Sequence, residues 1–492
     1  MAKMTFFNKG DNLVVRLRFA PSPTGNLHIG TLRTALFNWL YAKAQKGVFI
    51  LRIEDTDLQR SKSEYEDNIV EGLKWLGMSY EEGPAVGGEY GPYRQKERIV
   101  SGIYKKALDE LLDKGYAYYC FCTESELNEE REAAKKANKP YVYSRKCYGL
   151  SKNEVAEKLK QNLAYTIRFK MPDEDILFQD IIRNDINFDC RLVSDFVIMK
   201  SDGSPSYNFA CVVDDIDMKI THVVRGEDHI SNMPKQLALF AAFGAMPPQY
   251  AHMPMILGAD RSKLSKRHGA TSVTEYRDQG FLPDAFINYL SLLGWSPKDE
   301  QELLSVSEII EQFSLERISK AGAIFDVKKL TWMNGQYIRK MNKDTYFQFV
   351  WPFVDQDLKA NLEENYSIES LKNLLFSVRD NLDLVSEIST YIKVYVDSDD
   401  VFREKVASFD FSDSDLQVIR LFYNYLKNVE SLSVDSVEYG LTSILEQTGF
   451  GKGKVFRPLR IACTGEKSGP HVAEILSILG KEKLLRRLEI QL

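Results

Sequence analysis

One short stretch near the N-terminus, residues 13–54, constrains the fold of this chain more than any other. The run LVVRLRFA (13–20) is rich in Val, Leu and Phe and predicts a buried strand. After the loop PSPTGNLHIG (21–30), apolar residues recur at helical spacing up to Gly47, which is typical of a helix C-cap. VFILRIE (48–54) then predicts a second strand. This order predicts a βαβ unit, and hence a parallel sheet with a right-handed crossover.

The rest of the chain divides into an α/β half and a helical half. From about residue 270 onwards nearly every segment has helical periodicity and strand signals fade. We therefore predict an α/β fold: a doubly wound parallel sheet carrying an insertion, followed by an all-α C-terminal half. Within the first half we expect an amphipathic helix over 94–115 closed by Gly115, a charged helix ending at Lys139, strands at 164–170 and 190–200, and two strands around an acidic turn over 206–229.

Composition excludes several classes of protein. The 492 residues include 64 Lys plus Arg and 70 Asp plus Glu, so the net charge of −6 excludes a globally basic nucleic-acid binder. The segment 451–492 is nevertheless locally basic, with nine Lys or Arg against four Asp or Glu. Six cysteines are too few for a disulfide framework. No signal-peptide core or membrane-length apolar run is visible, so we expect a soluble cytoplasmic protein.

The first loop, residues 21–30, has the features of a phosphate-binding site. It follows a strand and leads into a helix N-terminus, where unpaired N–H groups and a partial positive charge favour an anion. His28 can donate a hydrogen bond to a phosphate oxygen, and Gly30 allows close backbone approach. Arg18 and Glu54 end neighbouring strands and should point into the same crevice. The alternative is an ordinary Pro/Gly loop with a surface histidine.

A second motif, DRSKLSKRHGA (260–270), crowds three cations into one loop, Lys263, Lys266 and Arg267. A triphosphate that loses pyrophosphate gathers negative charge in its transition state, and ammonium groups on a loop can stabilise that charge. The alternative is a solvated basic loop.

The two motifs together resemble the signature regions of the class I aminoacyl-tRNA synthetases. RFAPSPTGNLHIG is similar to their "HIGH" region, with Thr31 at the position where the glutamyl subgroup commonly departs from His, and KLSKR is similar to their "KMSKS" region. Further strings resemble the bacterial-type glutamyl-tRNA synthetase family: LRIEDTD (51–57), YNFACVVDD (207–215), THVVRGEDH (221–229), LPDAFINYLSLLGW (282–295) and VFRPLRIACTG (455–465).

The resemblance implies roles for residues that match the family's motifs. It implies catalytic roles for His28, Gly30, Lys263 and Lys266, and ATP binding by these residues with Pro21, Ser22, Thr24, Leu264, Ser265 and Arg267. It implies that Arg18, Ala20, Ser22, Glu54, Tyr207 and Arg225 bind glutamate. A guanidinium fits a carboxylate in a bidentate manner and has no acceptor for an amide, so Arg225 favours the glutamyl over the glutaminyl subgroup. The alternative for Arg225 is an ion pair with Glu227, Asp228 or an acid of 214–217.

A cysteine cluster lies in the predicted insertion. Cys120 and Cys122 form a Cys-x-Cys pair, and Cys147 follows after 24 intervening residues. Thiolates favour zinc, and the alternative is three reduced structural cysteines. Some glutamyl enzymes are similar here, with C-x-C…Y-x₃-C around a structural zinc, which implies Tyr143 as the fourth ligand. We expect Cys190, Cys211 and Cys463 to be inert.

The resemblance also implies domains, partners and a reaction. It implies a split catalytic domain (1–97 and 209–265), an acceptor-arm insertion (98–208), a stem-contact domain (266–342) and an anticodon-binding domain (343–492). The expected reaction attaches L-glutamate to tRNA(Glu) through a glutamyl-adenylate, with ATP and Mg²⁺, and tRNA must bind before glutamate is activated. We expect a monomer. The sequence does not decide whether tRNA(Gln) is glutamylated as well. Two rivals remain, a glutaminyl-tRNA synthetase and a non-catalytic RNA-binding paralogue.

Overall fold

The structure, a computed structural model, describes residues 3–6, 14–57, 59–265, 267 and 272–492. The chain forms two compact units. The first comprises residues 1–275 and 287–326, and the second comprises residues 276–286 and 327–492. Over the described ranges, no helix is long and apolar enough to cross a lipid bilayer.

Strands and helices alternate through most of the chain up to residue 326. The elements are, in chain order, β1 (Lys3–Phe6), β2 (Arg16–Phe19), α1 (Ile29–Ala44), β3 (Val48–Leu51), α2 (Ser63–Trp75), α3 (Gln95–Val100), α4 (Ile103–Asp113), β4 (Ala117–Cys120), α5 (Glu124–Lys136), α6 (Lys152–Lys160), β5 (Thr166–Phe169), β6 (Asp175–Asp180), β7 (Asn184–Phe188), β8 (Phe196–Met199), α7 (Tyr207–Asp217), β9 (His222–Gly226), α8 (Met233–Phe243), β10 (Gln249–Met253), β11 (Ile256–Leu257), α9 (Val273–Asp278), α10 (Pro283–Leu292), α11 (Val306–Gln312) and β12 (Ala323–Ile324).

A seven-stranded sheet forms the centre of the first unit, in the order β1-β6-β10-β9-β2-β3, with β7 beside β6. Every pair is parallel except β6–β7. Phe49, Ile50 and Leu51 of β3 are fully buried, as expected for a parallel strand covered on both faces. The predicted parallel sheet is therefore confirmed, as are the strands within 13–20 and 48–54 and the helix between them.

Gly47 is required by a close backbone approach and not by a helix C-cap. The C-cap of α1 is Gln45, and the residue with left-handed backbone is Lys46, at φ 52°. A Cβ atom on Gly47 would lie 2.2 Å from the carbonyl oxygen of Val15. That same oxygen accepts a hydrogen bond from the Val48 N–H at 2.8 Å, which holds the two segments together. The prediction that Gly47 is the C-cap residue is therefore wrong, although its N–H donates to the Ala42 carbonyl at 2.8 Å at the end of the helix.

A second, smaller sheet lies between α4 and α7 in the sequence. It contains three antiparallel strands in the order β4-β5-β8. The charged helices α5 and α6 follow β4 and bury none of their residues. The strand predicted over 190–200 is shorter than expected, because Cys190–Leu192 forms a 3₁₀ turn capped by the Asp189 side chain. β6 and β7, which lie between β5 and β8 in the sequence, pair with the main sheet. This pairing was not predicted.

Two predicted elements differ from the structure. The helix expected over 94–115 is two helices, α3 and α4, separated at Gly102, where φ is 78°. The first of the two strands expected over 206–229 is the helix α7, whereas the second is β9. Residues 209–215 of α7 are all buried. A helix covered on all sides shows no apolar stripe in its sequence, and its Val212–Val213 pair favours a strand.

The second unit is helical throughout, apart from short turns, which confirms the predicted all-α half. Its helices after residue 326 are α12 (Val327–Lys340), α13 (Lys343–Val350), α14 (Gln356–Asn365), α15 (Ile368–Ser377), α16 (Ile388–Val396), α17 (Asp399–Val406), α18 (Asp413–Asn428), α19 (Val434–Thr448), α20 (Lys452–Thr464), α21 (Val472–Leu479) and α22 (Lys481–Glu489). They enclose a continuous apolar core that includes Leu374, Ile392, Phe422 and Leu459.

Candidate active site

The loop after β2 places a histidine at the N-terminus of α1. His28 is the N-cap of this helix, and its Nδ1 accepts a hydrogen bond from the Gly30 N–H at 3.1 Å. Because Nδ1 is an acceptor, the proton of the neutral ring resides on Nε2. The first turn of α1 contains no acidic residue, so nothing there offsets the partial positive charge of the helix terminus.

A cavity of about 520 Å³ opens beside this helix terminus. Its walls come from the carboxyl-terminal ends of β2 and β9, the segment after β10 and the loop of the second motif, which is where open α/β sheets bind ligands. The predicted site residues that line it are Arg18, Ala20, Pro21, Ser22, His28, Gly30, Glu54, Tyr207, Arg225, Lys263 and Leu264. Thr24, Ser265 and Arg267 are not in the lining, and Lys266 lies outside the described residues.

The segment that follows the second motif, residues 272–273, is joined to the first loop through the backbone. The Val273 N–H donates to the Leu27 carbonyl at 3.1 Å, and Ser272 forms an antiparallel bridge with His28. Lys263 reaches the cavity with its Nζ 3.7 Å from Asp228. The structure therefore brings a histidine and a lysine from distant parts of the sequence to one cavity.

Arg267, by contrast, is engaged within its own loop. Its guanidinium donates to the Ser262 hydroxyl at 2.6 Å and lies 3.5 Å from the Asp260 carboxylate. The ATP-binding role predicted for Arg267 would require it to leave these partners.

Arginine and acidic side chains form a buried network of ion pairs in the cavity wall. Arg18 Nε donates to Asp215 at 3.2 Å, and the fully buried Arg52 donates to Asp215 at 2.6 Å and to Glu54 at 3.0 Å. Burial opposes the charge of Arg18, but Asp215, together with Cys211 and Glu54, outweighs burial and raises the pKa of that guanidinium. Burial also raises the pKa of Glu54, against the pull of Arg52 and Arg18. The pair Arg18 and Glu54 is complementary to the carboxylate and ammonium groups of an amino acid.

Arg225 is buried at the end of β9 and has no acidic partner among the residues that the structure describes. Its Nε donates to His252 Nε2 at 3.1 Å and its Nη2 to Gln236 Oε1 at 2.9 Å. Its Nη1 is shielded from water and has no hydrogen-bond partner. A buried N–H group without a partner is costly, so Nη1 indicates a missing acceptor.

The acids considered as partners of Arg225 are engaged elsewhere. Asp214 accepts from Arg98 at 2.7 Å and Asp215 from Arg18 and Arg52. In the same way, Asp217 pairs with Arg98, Glu227 with Arg183 and Asp228 with Lys263. The ion-pair alternative for Arg225 is therefore not realised in the structure.

The cavity also contains residues that the sequence analysis did not assign. Asp228 and His229 line it, and both belong to the string THVVRGEDH, so that string carried the signal that could have found them. The Tyr207 hydroxyl lies 3.2 Å from His229 Nδ1. Burial lowers the pKa of His229 to about 4, with Arg225 contributing in the same direction. His229 is therefore neutral at neutral pH.

The cysteine cluster lies apart from this cavity, between the small sheet and the loop before α6. The Sγ atoms of Cys120, Cys122 and Cys147 all lie within 4.8 Å of one another. The Tyr143 hydroxyl is 3.4 Å from Cys120 Sγ and 3.3 Å from Cys122 Sγ. All four predicted ligands therefore converge on one point. The six cysteines of the chain are all free of disulfides.

The donor set of this cluster fits zinc. The Cys122 and Cys147 sulfurs are 3.6 Å apart, close to the separation of about 3.8 Å that Zn–S bonds of about 2.3 Å give at a tetrahedral centre. Arg168 donates to Cys120 Sγ at 3.2 Å. Burial raises the pKa of Cys122 to about 12, and the neighbouring thiols Cys120 and Cys147 act in the same direction. A divalent cation would remove that obstacle to ionisation.

Family models match nearly the whole chain. The model described as "tRNA synthetases class I (E and Q), catalytic domain" matches residues 14–332, and the model described as "Anticodon binding domain" matches residues 346–492. The chain therefore belongs to the class I tRNA synthetases of the glutamyl and glutaminyl group.

Several relatives are similar over nearly their full length. The chain is 46% identical over 477 residues to the glutamate–tRNA ligase of Sulfurihydrogenibium sp. (strain YO3AOP1), covering 96% of this chain and 98% of that protein. It is 44% identical over 477 residues to glutamate–tRNA ligase 1 of Caldanaerobacter subterraneus subsp. tengcongensis, covering 96% and 97%. The crystal structure of a glutamate tRNA ligase from Elizabethkingia meningosepticum CCUG26117 in complex with its amino acid superposes with a TM-score of 0.85 at 35% identity, covering 97% of this chain and 99% of that one.

Proposed function

We propose that this protein is a glutamate–tRNA ligase. It would use ATP to attach L-glutamate to tRNA(Glu) through a glutamyl-adenylate, releasing AMP and pyrophosphate. The observation that carries the proposal is Arg225: a buried guanidinium in the cavity wall, without an acidic partner in the described structure and with one nitrogen lacking any acceptor. A carboxylate side chain supplies the missing acceptor and charge, whereas the amide of glutamine supplies no charge.

The remaining polar groups of the cavity suit the backbone of the amino acid. Glu54 would bind the α-ammonium group and Arg18 a carboxylate oxygen, because these two charges line the same cavity. Ser22 and the backbone at Ala20 lie in the same wall, and Tyr207 borders the cavity from the start of α7. Arg18 and Glu54 are both held by the buried Arg52–Asp215 pair, so they are oriented before the substrate arrives.

The ATP phosphates would lie at the N-terminus of α1. His28 would donate through Nε2, Lys263 would supply a cation, and Gly30 leaves the first turn open, since a Cβ there would meet only His28 Nδ1 at 3.5 Å. Lys266 would add a second cation, as its motif implies. Magnesium arriving with ATP would neutralise phosphate charge. The carboxylates of the described lining, Glu54 and Asp228, already pair with Arg52 and Lys263, so the ion would be held chiefly by phosphate oxygens and water.

The reaction then needs no protein nucleophile. A glutamate carboxylate oxygen attacks the α-phosphorus of ATP and displaces pyrophosphate. The terminal ribose hydroxyl of tRNA attacks the activated carbonyl and displaces AMP. The protein contributes positioning and stabilisation of the charge that develops on the phosphates. We infer that tRNA binds before glutamate is activated.

The rest of the chain would hold the tRNA. Residues 98–208 would contact the acceptor arm, 266–342 the stem and 343–492 the anticodon, where the local basic balance of 451–492 suits the phosphate backbone. A zinc ion on Cys120, Cys122, Tyr143 and Cys147 would brace the insertion and would take no part in catalysis.

The test is ATP–pyrophosphate exchange and tRNA charging with purified components. We expect exchange with glutamate only when tRNA(Glu) is present, and charging of tRNA(Glu) with glutamate. Glutaminylation of tRNA(Gln) would favour the glutaminyl alternative. The absence of exchange under every condition would favour a non-catalytic RNA-binding protein.

A further inference from the structure

A chain of buried polar side chains runs from β6 through β10 to Arg225 on β9. Asp180 Oδ2 lies 2.6 Å from His252 Nδ1, and His252 Nε2 lies 3.1 Å from Arg225 Nε. Asp180 and His252 expose 1% and 0% of their surfaces. Neither residue lines the cavity, so neither can touch the amino acid directly.

The hydrogen bonds fix which nitrogen of His252 carries its proton. An arginine Nε–H is always a donor, so His252 Nε2 must be an acceptor and the ring proton must reside on Nδ1. The His252 Nδ1–H group donates to Asp180 Oδ2. Burial lowers the pKa of His252, so the ring is neutral, as this arrangement requires. An Nε2–H tautomer would instead set one donor against another.

Asp180 is in turn fixed by the backbone. Its Oδ1 accepts from the N–H groups of Ile182 at 2.9 Å and Arg183 at 2.8 Å. Burial acts to raise the pKa of Asp180, but the hydrogen bonds from His252 and the backbone outweigh it and lower the pKa, which keeps the carboxylate ionised. The position of the acceptor facing His252 is therefore determined by the loop after β6.

At the other end, Arg225 is held on two nitrogens. Nε is bound by His252 and Nη2 by Gln236, while the Tyr250 ring lies 5.3 Å from the guanidinium carbon. The remaining nitrogen, Nη1, has no partner. The two bonds set the plane and direction of the guanidinium and leave Nη1 for an external acceptor.

We propose that Asp180 and His252 are positioning residues for substrate selection: they fix the orientation of Arg225 and thereby set the preference for glutamate over glutamine. This inference rests on the role of Arg225 in the proposed function. A guanidinium that could rotate would bind a carboxylate with poorer geometry and would discriminate less against an amide.

The Asp180→Asn variant tests the proposal because it keeps the shape of the side chain and changes the position of the ring proton. It also removes an acceptor of the His252 backbone N–H, which lies 3.2 Å from Asp180 Oδ2. The amide oxygen must remain on the Ile182 and Arg183 N–H groups, so the NH₂ group faces His252 Nδ1. That forces the ring proton to Nε2, opposite the Arg225 N–H. The same logic applies to an Asp–His pair in serine proteases, where replacing the carboxylate by an amide leaves the geometry intact but selects the wrong tautomer.

We expect Asp180→Asn to lower kcat/KM for glutamate about 10- to 100-fold, the effect of losing one or two buried hydrogen bonds to a charged group. The KM for ATP should change little, and the glutamate-over-glutamine ratio should fall. In His252→Gln an amide oxygen can accept from Arg225 without any tautomer, so this variant should retain most of the preference. Asp180→Asn should add little in the His252→Gln background, because the coupling passes through the ring.

Two further variants serve as a control and as a second test of the positioning role. Asp175→Asn, the same change at the other end of β6, should leave both specificity constants unchanged. His252→Leu, which has no acceptor, should reduce the glutamate preference and provides a second test should Asp180→Asn fold poorly by circular dichroism.

If Arg225→Ala abolishes the preference but Asp180→Asn and His252→Leu both leave it intact, the positioning role is wrong and the proposed function stands. If Arg225→Ala itself leaves the preference intact, the role of Arg225 in the proposed function fails. Equal effects of Asp180→Asn in the wild-type and His252→Gln backgrounds would show that Asp180 acts on stability and not through the histidine.

Discussion

Replacing Arg225 by cysteine should change substrate choice more than it changes the fold. Arg225 lines the cavity and exposes 5% of its surface. Its Nη1 carries two N–H bonds and is the only guanidinium nitrogen without a hydrogen-bond partner among the described residues. Two charge-assisted hydrogen bonds from it to a carboxylate, at about 1.5–3 kcal/mol each, sum to about 3–6 kcal/mol, or roughly 10²- to 10⁴-fold in kcat/KM. We therefore expect glutamate use to fall by that factor.

The discrimination between the two amino acids should narrow in the same variant. A site built around a buried polar partner can reject an analogue by about 10⁴-fold, because the wrong substrate leaves polar groups unpaired. Cysteine removes the guanidinium donors that oppose the glutamine amide, so glutamine use should fall much less than glutamate use. Arg225→Lys should be a poor substitute, since an ammonium group is a point charge without the fixed plane of the guanidinium.

The assay is charging of purified tRNA(Glu) with each labelled amino acid by wild type, Arg225→Cys and Arg225→Lys. Pyrophosphate exchange in the presence of tRNA provides the same ratio for the first step. An unchanged ratio of the two specificity constants in Arg225→Cys would refute the reasoning and assign selection to another residue, with Arg18 as the next candidate.

Three further predictions address the phosphate site, the cysteine cluster and the fold. His28→Ala and Lys266→Ala should each slow pyrophosphate exchange about 10²- to 10³-fold, the effect of losing one donor to developing charge, with glutamate affinity nearly unchanged; wild-type exchange in either variant would remove that residue from the mechanism. Elemental analysis of protein purified without chelators should find about one zinc per chain, lost in Cys122→Ser; a metal-free chain with full activity would contradict the zinc site. Gly47→Ala should destabilise the first unit by about 1–3 kcal/mol in denaturant unfolding, because the added Cβ would lie 2.2 Å from the Val15 carbonyl oxygen. The matched variant Gly149→Ala should be nearly neutral, because a Cβ there would have no atom within 4 Å. Equal stabilities of the two variants would show that the backbone relaxes at Gly47.

Local patterns were sufficient where an element depends on its own residues. The strands around Leu17 and Ile50 are buried on both faces, and their continuous apolar runs identified them. α7 was missed for the opposite reason. Its Asp214 and Asp215 are buried against Arg18 of β2, Arg52 directly after β3 and Arg98 of α3. No feature of the α7 segment itself indicates those partners.

The candidate site shows the same division. His28 and Lys263 belong to motifs that can be recognised in the sequence, and both residues line the same cavity. The hydrogen-bond partners of Arg225 could not be predicted from the sequence. The spacing of nearby acids alone favoured an ion pair, and only the family resemblance implied that Arg225 binds glutamate. Its actual partners, His252 and Gln236, lie on β10 and α8, and Asp180 lies on β6, within a stretch expected to belong to the insertion. Only the pairing of β6, β10 and β9 brings these residues together.

The most direct test of the glutamate–tRNA ligase assignment is to identify the amino acid esterified to purified tRNA(Glu) when the protein is given ATP, Mg²⁺ and an equimolar mixture of glutamate and glutamine. Mass spectrometry of the released aminoacyl-adenosine should detect glutamate, with glutamine about 10⁴-fold lower or absent. Comparable amounts of the two esters, or glutamine alone, would contradict the assignment of Arg225 as the residue that selects the carboxylate.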